Sequence, residues 1–227
     1  MEENYGQYQT AATFKERALD IALSLNDHPM VAVSQSNLAN VYGDLGRYEE
    51  AASLLEIALA SAIKNFGKAH PSVAVSQSNL ANVYLNLGRY EEAASLLEIA
   101  LASDLKNFDK DHPTVAVRQS NLANVYGDLG RYEEAASLLE IALSSDIKNF
   151  GKDHPTVATS LNNLANVYMA TKNYQQAKEA WLQALQVLKA HFGESHPYID
   201  VTIKSLQMVE MFIQMQQMGL NPEDLMK

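Results

Sequence analysis

Histidine is the residue type of this chain best suited to chemistry, and five of its six copies recur at one spacing. Each stands directly before a proline, 42 residues from the next, at His28, His70, His112, His154 and His196. Imidazole can bind a metal ion or transfer a proton. Successive units of a helical stack lie about 10 Å apart, too far to share a metal ion bound at about 2 Å. No second ligand stands beside each histidine, so we predict neither a metal site nor a cofactor.

No other residues form a recognisable catalytic set. The chain has no cysteine, which excludes thiol catalysis, disulfides and cysteine-bound zinc. It has no glycine-rich phosphate loop and no motif that pairs a nucleophile with a base. The repeated pair Glu91-Glu92 stands where a helix begins, where carboxylates complement the helix dipole. We therefore predict that the protein is not an enzyme.

Composition restricts the partners further. The formal net charge is −10, from 27 acidic against 17 basic residues. Nucleic-acid affinity comes mainly from clustered lysine and arginine, so a nucleic-acid partner is not expected. No run of about 18 apolar residues could span a membrane, and the first residues lack the pattern of a signal peptide. These features predict a cytoplasmic protein without a membrane partner.

The elements that position these residues repeat along the chain. The stretch Asn79 to Leu101 recurs 42 residues upstream at Asn37 to Leu59 and downstream at Asn121 to Leu143, with a diverged copy at Asn163 to Leu185. A fixed period of this size indicates a solenoid, in which each unit buries its apolar face against its neighbours. We predict one domain, 1–227. It comprises a half repeat 1–27, full repeats 28–69, 70–111, 112–153 and 154–195, and a C-terminal capping helix within 196–227.

Each full repeat is predicted to be a pair of helices. Proline suits the first turn of a helix, so Pro71 marks the start of helix A, about 72–87. Apolar side chains then recur on one helical face as far as Tyr84. Gly88 ends this helix, and helix B follows over about 90–108. The first element of the chain matches a helix B, about 8–24, and the last matches a helix A, about 198–218. The fold class is therefore all-α.

The repeated sequence resembles the tetratricopeptide repeat. The resemblance rests on three short patterns, Leu-Ala-x-x-Tyr, Gly-x-Tyr-x-x-Ala and Leu-x-x-Ala-Leu, at Leu80, Ala81, Tyr84, Gly88, Tyr90, Ala93, Leu97, Ala100 and Leu101. The usual tetratricopeptide period is 34, whereas this chain repeats every 42 residues with His-Pro before helix A. That longer period is similar to the kinesin-light-chain class. The resemblance implies a right-handed superhelix whose concave surface, lined by helix A, receives an extended peptide or a partner helix.

Carried over position by position, the resemblance places two columns of asparagines in this groove. The implied groove residues are Asn37, Asn40, Asp44, Asn79, Asn82, Asn86, Arg118, Asn121, Asn124, Asp128, Asn163 and Asn166. An asparagine amide offers two donors and an acceptor, so a column of them can bind a peptide backbone whatever its side chains are. The alternative is that the amides bond neighbouring helices and fix their stagger. The two interpretations are compatible.

The groove also predicts the charge of its ligand. Arg118 is the only basic helix-A residue near it, and Asp44 and Asp128 would repel an acidic ligand. The lysines and arginines with which related chaperone adaptors clamp a C-terminal carboxylate are replaced here by valine and serine. We therefore expect a protein-interaction scaffold that binds a neutral or basic peptide in a mildly acidic groove.

Two other functions remain open. The chain could be the sensor portion of a longer multidomain protein. It could also be a structural module that self-associates weakly, head to tail, through an apolar strip on the first helix formed by Phe14, Leu19 and Leu23. The last helix, rich in methionine, would be the donor to that strip.

Three glutamines occupy positions where this repeat class packs a leucine. They are Gln35, Gln77 and Gln119, and the last repeat has Leu161 there. A buried glutamine without partners costs about 1–3 kcal/mol. We predict that the three form a mutually hydrogen-bonded ladder, with a partly solvated seam as the alternative.

Overall fold

The computed structural model describes residues 2–25 and 28–222, and within them the protein consists of ten α-helices without a strand. The helices are α1 Glu2–Ser24, α2 His28–Asp44, α3 Tyr48–Phe66, α4 Pro71–Asn86, α5 Tyr90–Asn107, α6 Pro113–Asp128, α7 Tyr132–Phe150, α8 Pro155–Ala170, α9 Tyr174–Phe192 and α10 Pro197–Gln217. They form two compact units, Met1–Asn107 and Phe108–Lys227. The all-α repeat fold predicted from the sequence is confirmed.

Each described His-Pro pair from residue 70 onwards begins a helix by a specific contact. The His70 backbone is extended, and its Nδ1 accepts a hydrogen bond from the backbone N–H of Ser72 at 3.1 Å. The imidazole also stacks on Phe66, with 4.9 Å between ring centroids. His112, His154 and His196 repeat both contacts. The histidines therefore cap helices and tie each loop to the helix before it.

The turn after helix A needs a left-handed backbone. Gly88 supplies it at φ 73°, and the equivalent glycines of the flanking repeats adopt the same conformation. In the diverged repeat Lys172 stands at this position with φ 63°. A side chain with a Cβ is strained there, so this turn costs more than its glycine counterparts.

In the first unit, helices α1 to α5 pack around small and branched side chains. Leu80 is 3% exposed and Ala81 is fully buried, as the predicted helix face requires. The Tyr84 hydroxyl donates a hydrogen bond to Glu56 Oε1 at 2.9 Å, and the Arg89 guanidinium lies 3.8 Å from the centre of the Tyr84 ring. Burial, followed by the bond to Glu56, raises the pKa of Tyr84. The contact joins α4 to α3 of the preceding repeat.

In the second unit, α6 to α10 enclose a larger aromatic core. Trp181 is 2% exposed, and Tyr174 meets Phe212 edge to face with 5.5 Å between centroids. Ile199 of α10 is fully buried in the same cluster. An ion pair of 2.9 Å between Lys178 and Glu210 also joins α9 to α10. Helix α10 therefore covers α9.

The predicted glutamine ladder is wrong. Gln35, Gln77 and Gln119 are buried, at 6%, 5% and 5% exposure. The Oε1 atom of each has no hydrogen-bond partner among the described residues. Each of these three helices therefore keeps an unpaired carbonyl in a position that leucine fills in the last repeat.

Candidate functional site

The helix-A surface of the first unit mixes exposed apolar and amide side chains. Val33 of α2 is 61% exposed and Val75, its counterpart on α4, is 52% exposed. One helical turn further on stand Asn37, which is exposed, and Asn79, which is half-buried. These valines therefore belong to the surface of helix A rather than to the core.

A groove opens beside these residues between α2, the C-terminal half of α3 and the N-terminal half of α4. We call it the apolar groove; its volume is about 620 Å³. Its lining residues are Ala32, Val33, Ser36, Asn37, Ala58, Ser61, Ala62, Asn65, Phe66, Ser72, Val75, Ser76 and Asn79. None of these side chains is charged. Phe66 is 56% exposed although it also stacks on His70.

The second unit has a different groove, between the C-terminal halves of α6 and α8. We call it the asparagine groove; its volume is about 320 Å³. It is lined by Ala123, Asn124, Gly127, Asp128, Tyr132, Asn163, Asn166, Val167 and Ala170. Four of the predicted groove residues therefore meet at one place: Asn124, Asp128, Asn163 and Asn166. The amides of the three asparagines make no hydrogen bond within the described residues.

The other predicted positions lie outside these two grooves. Asn40, Asp44, Asn82 and Asn86 are exposed on α2 and α4, and Asn121 is half-buried on α6. The Asn86 amide donates to the Asn82 backbone carbonyl at 2.8 Å, within its own helix. That bond leaves the Asn86 amide less available to a ligand than the amides of the asparagine groove.

The prediction for Arg118 needs correction. Its side chain is only 5% exposed, so the guanidinium does not lie on a surface open to a peptide. Its neighbour in the sequence, Val117, is 56% exposed. Adjacent residues of a helix point about 100° apart, so one can be exposed while the next is buried. The candidate groove is thus left without its predicted base.

Sequence reasoning did not identify the floor of the apolar groove, which Ala62 and Ser76 help to line. The signal was present in the repeat, because Ala62 becomes Asp146 two repeats later, while Ser76 becomes Ser160. In the second unit Asp146 Oδ2 accepts a hydrogen bond from Ser160 Oγ at 2.6 Å. Asp146 is 4% exposed, and this burial raises the pKa of its carboxyl, although the bond from Ser160 acts in the opposite direction.

The described part of the chain contains neither a metal cluster nor a membrane-spanning helix. No group of three or more histidine or acidic residues there could hold a metal ion. None of its helices is both long and apolar enough to cross a membrane. The two grooves offer hydrogen-bonding amides, one carboxylate and apolar side chains.

Comparison with known proteins gives a consistent assignment. A family model described as Tetratricopeptide repeat matches residues 4–64, 30–106, 72–148 and 111–190, which together cover most of the chain. No curated protein sequence matches.

Solved structures resemble the chain over most of its length. A candidate kinesin light chain from Podosopora anserina with nearly identical TPR-like repeats is 32% identical, with a TM-score of 0.73, over 83% of this chain and 90% of that one. A single-substitution variant of that protein is also 32% identical, with a TM-score of 0.74, over 82% and 89%. BtubC from P. vanneervenii is 26% identical, with a TM-score of 0.77, over 89% and 82%.

Proposed function

The chain belongs to the tetratricopeptide repeat family, and from this premise we propose that it is an interaction scaffold that binds an extended peptide segment of a partner protein on its helix-A surface. Repeats of this family generally mediate protein-protein interaction. The more specific part of the proposal is that asparagine amides bind the peptide backbone, within a single repeat array formed by residues 1–227.

One observation supports this proposal most strongly: the asparagine groove of the second unit. Asn124, Asn163 and Asn166 converge there with amides that make no hydrogen bond to the described residues. Amides that fixed the stagger of neighbouring helices would be bonded to those helices instead. Each new bond to a peptide backbone contributes about 0.5–1.5 kcal/mol, so a few of them orient a ligand without selecting its sequence.

The charge of the groove indicates the kind of peptide. Asp128 lines the asparagine groove, and Asp44 is exposed on α2. Arg118 is buried and offers no compensating surface charge, and the whole chain has a net charge of −10. We therefore assign a neutral or basic peptide. A basic peptide should bind more weakly as salt concentration rises, because exposed charges are screened.

The test is selection of binders from a random peptide library displayed on phage, with the purified chain as bait. We expect enriched peptides whose affinity falls in the double variant Asn124→Ala with Asn166→Ala. A matched control removes two exposed amides of helix B, by Gln176→Ala with Gln183→Ala, and should bind as the wild type does. Peptides whose affinity falls in the helix-B control but not in the groove variant would contradict the proposal.

Self-association is a second candidate, favoured by the exposed face of α1. Phe14 and Ile21 of α1 are 65% and 57% exposed, and Leu25, directly after the helix, is 66% exposed. Ala18 is also exposed, while its counterpart Ala58 is 3% exposed. Of the predicted strip, Phe14 and Leu23 are exposed, at 65% and 51%, whereas Leu19 is half-buried.

The donor predicted for this strip is a poor match. Helix α10 presents Gln207, an exposed residue, where Ala165 is fully buried in the preceding repeat. Polar outer faces are typical of capping helices. Weak association that is abolished by Ile21→Glu in sedimentation would support this second candidate, and mass independent of concentration would exclude it.

A further inference from the structure

At the apolar groove of the first unit, one helix-B position differs from its counterpart in a later repeat. On α3 this position is Ala62, and on α7 it is Asp146. In the second unit the Asp146 carboxylate reaches across to Ser160 Oγ at 2.6 Å and bridges α7 to α8. In the first unit Ala62 cannot reach Ser76, whose Oγ donates instead to the Ser72 backbone carbonyl at 3.1 Å. The space that a carboxylate bridges in one unit is open in the other.

The walls of this groove are apolar while its rim is polar. Val33, Phe66 and Val75 are each more than half exposed there, and Ala58 and Ala62 lie at its base. Asn37 and Asn79 provide amides beside the valines. Ligand pockets are typically clefts of about 300–1,000 Å³ with apolar walls and a few polar groups, and the volume of about 620 Å³ is ample for one large side chain.

We propose that the apolar groove is a specificity pocket that takes one bulky, uncharged apolar side chain of the bound peptide, and that Ala62 keeps it open. The inference rests on the proposed peptide-binding function and adds its sequence preference. Asn37 and Asn79 bond the peptide backbone on either side of the inserted residue.

Charge selects this occupant over the alternatives. No lining side chain is charged, so an inserted lysine, arginine or carboxylate would lose its hydration without gaining a counter-ion. An aromatic or leucine side chain gains from leaving water and finds three exposed apolar side chains to contact. The second unit has no equivalent preference, because Asp146 and Ser160 occupy the corresponding position.

The substitution Ala62→Asp should close the apolar groove, and it introduces the residue that a later repeat has at the same position, Asp146. The introduced carboxylate faces Ser76 as Asp146 faces Ser160, so the variant should fold, which circular dichroism and a thermal melt will check. A second variant, Val75→Thr, changes an exposed residue to its counterpart in the last repeat, Thr159, and does not threaten the fold. The matched control is Ala60→Asp, which puts the same charge on the exposed face of α3.

Peptides selected from the random library on the wild-type chain should share a bulky apolar residue at one position. Their affinity should fall about tenfold or more in Ala62→Asp, since a charge then stands in the apolar subsite, and less in Val75→Thr. The control Ala60→Asp should not change it. If peptides are enriched and respond to Asn124→Ala with Asn166→Ala but not to Ala62→Asp, the pocket is excluded while the proposed function stands.

Toluene, an analogue of the phenylalanine side chain, tests the pocket without any peptide. In ¹H–¹⁵N spectra of the full chain, toluene should shift amide signals of residues 58–66 and 72–79, and n-butylammonium should not. The toluene shifts should disappear in Ala62→Asp. If the library yields no binder, the proposed function fails and the toluene result decides the pocket alone. The proposed pocket would be overturned if toluene shifts no amide signals in the wild type, or if its shifts persist in Ala62→Asp.

Discussion

Replacing Gln77 by leucine should stabilise the protein. Gln77 is 5% exposed on α4, and its Oε1 has no partner among the described residues. The last repeat shows that leucine fits this position, because Leu161 stands there on α8 with 6% exposure. Glutamine and leucine fill similar volumes, so the change removes an unpaired acceptor without opening a cavity.

The magnitude follows from the cost of the unpaired group. A buried acceptor without a hydrogen bond costs about 1–3 kcal/mol, so Gln77→Leu should raise the free energy of unfolding by that amount. The reverse change, Leu161→Gln, removes a buried apolar side chain as well as adding an unpaired amide. It should cost about 2.5–6 kcal/mol when both effects are added.

Urea denaturation of the full chain measures both changes. Circular dichroism reports the helices of both units, whereas fluorescence of Trp181, the single tryptophan, reports the second unit alone. Repeat arrays can unfold in parts, so the two signals should be compared for each variant. A Gln77→Leu variant that is less stable than the wild type, while Leu161→Gln is harmless, would refute the reasoning.

Three further changes test the packing. His154→Ala removes a helix cap and its stack on Phe150 and should cost about 0.5–2 kcal/mol in a urea melt; His154→Asn, which keeps an acceptor, should recover part of this. Burial raises the pKa of Asp146, so its charged form destabilises the fold; this cost is absent when the carboxyl is protonated and appears as pH rises through the folded-state pKa. Asp146→Asn should therefore be more stable than the wild type at pH 7, with a difference that shrinks as pH falls toward about 4, the ordinary range of the carboxyl. A difference that grows on acidification would contradict this sign. Leu80→Ala should cost about 2–5 kcal/mol, since Leu80 is 3% exposed, and a loss below about 1 kcal/mol would show that the buried face is misassigned.

The repeat made the helices predictable. Pro71 and Gly88 marked helix ends that the structure places at Pro71 and Asn86, and the Leu80 face is buried as its spacing predicted. Local signals suffice for this because a helix start, a helix end and a helical face each depend on a few neighbouring residues. The stacking of His70 on Phe66 also repeats in the sequence, but its partner is four residues upstream and gave no separate signal.

The surface was less predictable than the core. Spacing indicates which residues share a helix face, but not which of them neighbouring helices cover. Arg118 is buried beside an exposed valine, and Gln77 is buried with its Oε1 unbonded by any described residue, because packing from other helices decides both. Under our proposal the opening of the apolar groove depends on the side chain at position 62, whose counterpart Asp146 contacts a residue of the next helix that is distant in sequence.

The most direct test of the account is the place where a bound peptide lies. A library-selected peptide with a photoreactive residue should be crosslinked to the full chain, and the attachment sites mapped by mass spectrometry. We predict attachment to helix-A residues within 32–44, 72–86, 114–128 and 156–170, reduced by Asn124→Ala with Asn166→Ala. Attachment confined to the exposed faces of α3, α5, α7 and α9 would contradict the central claim.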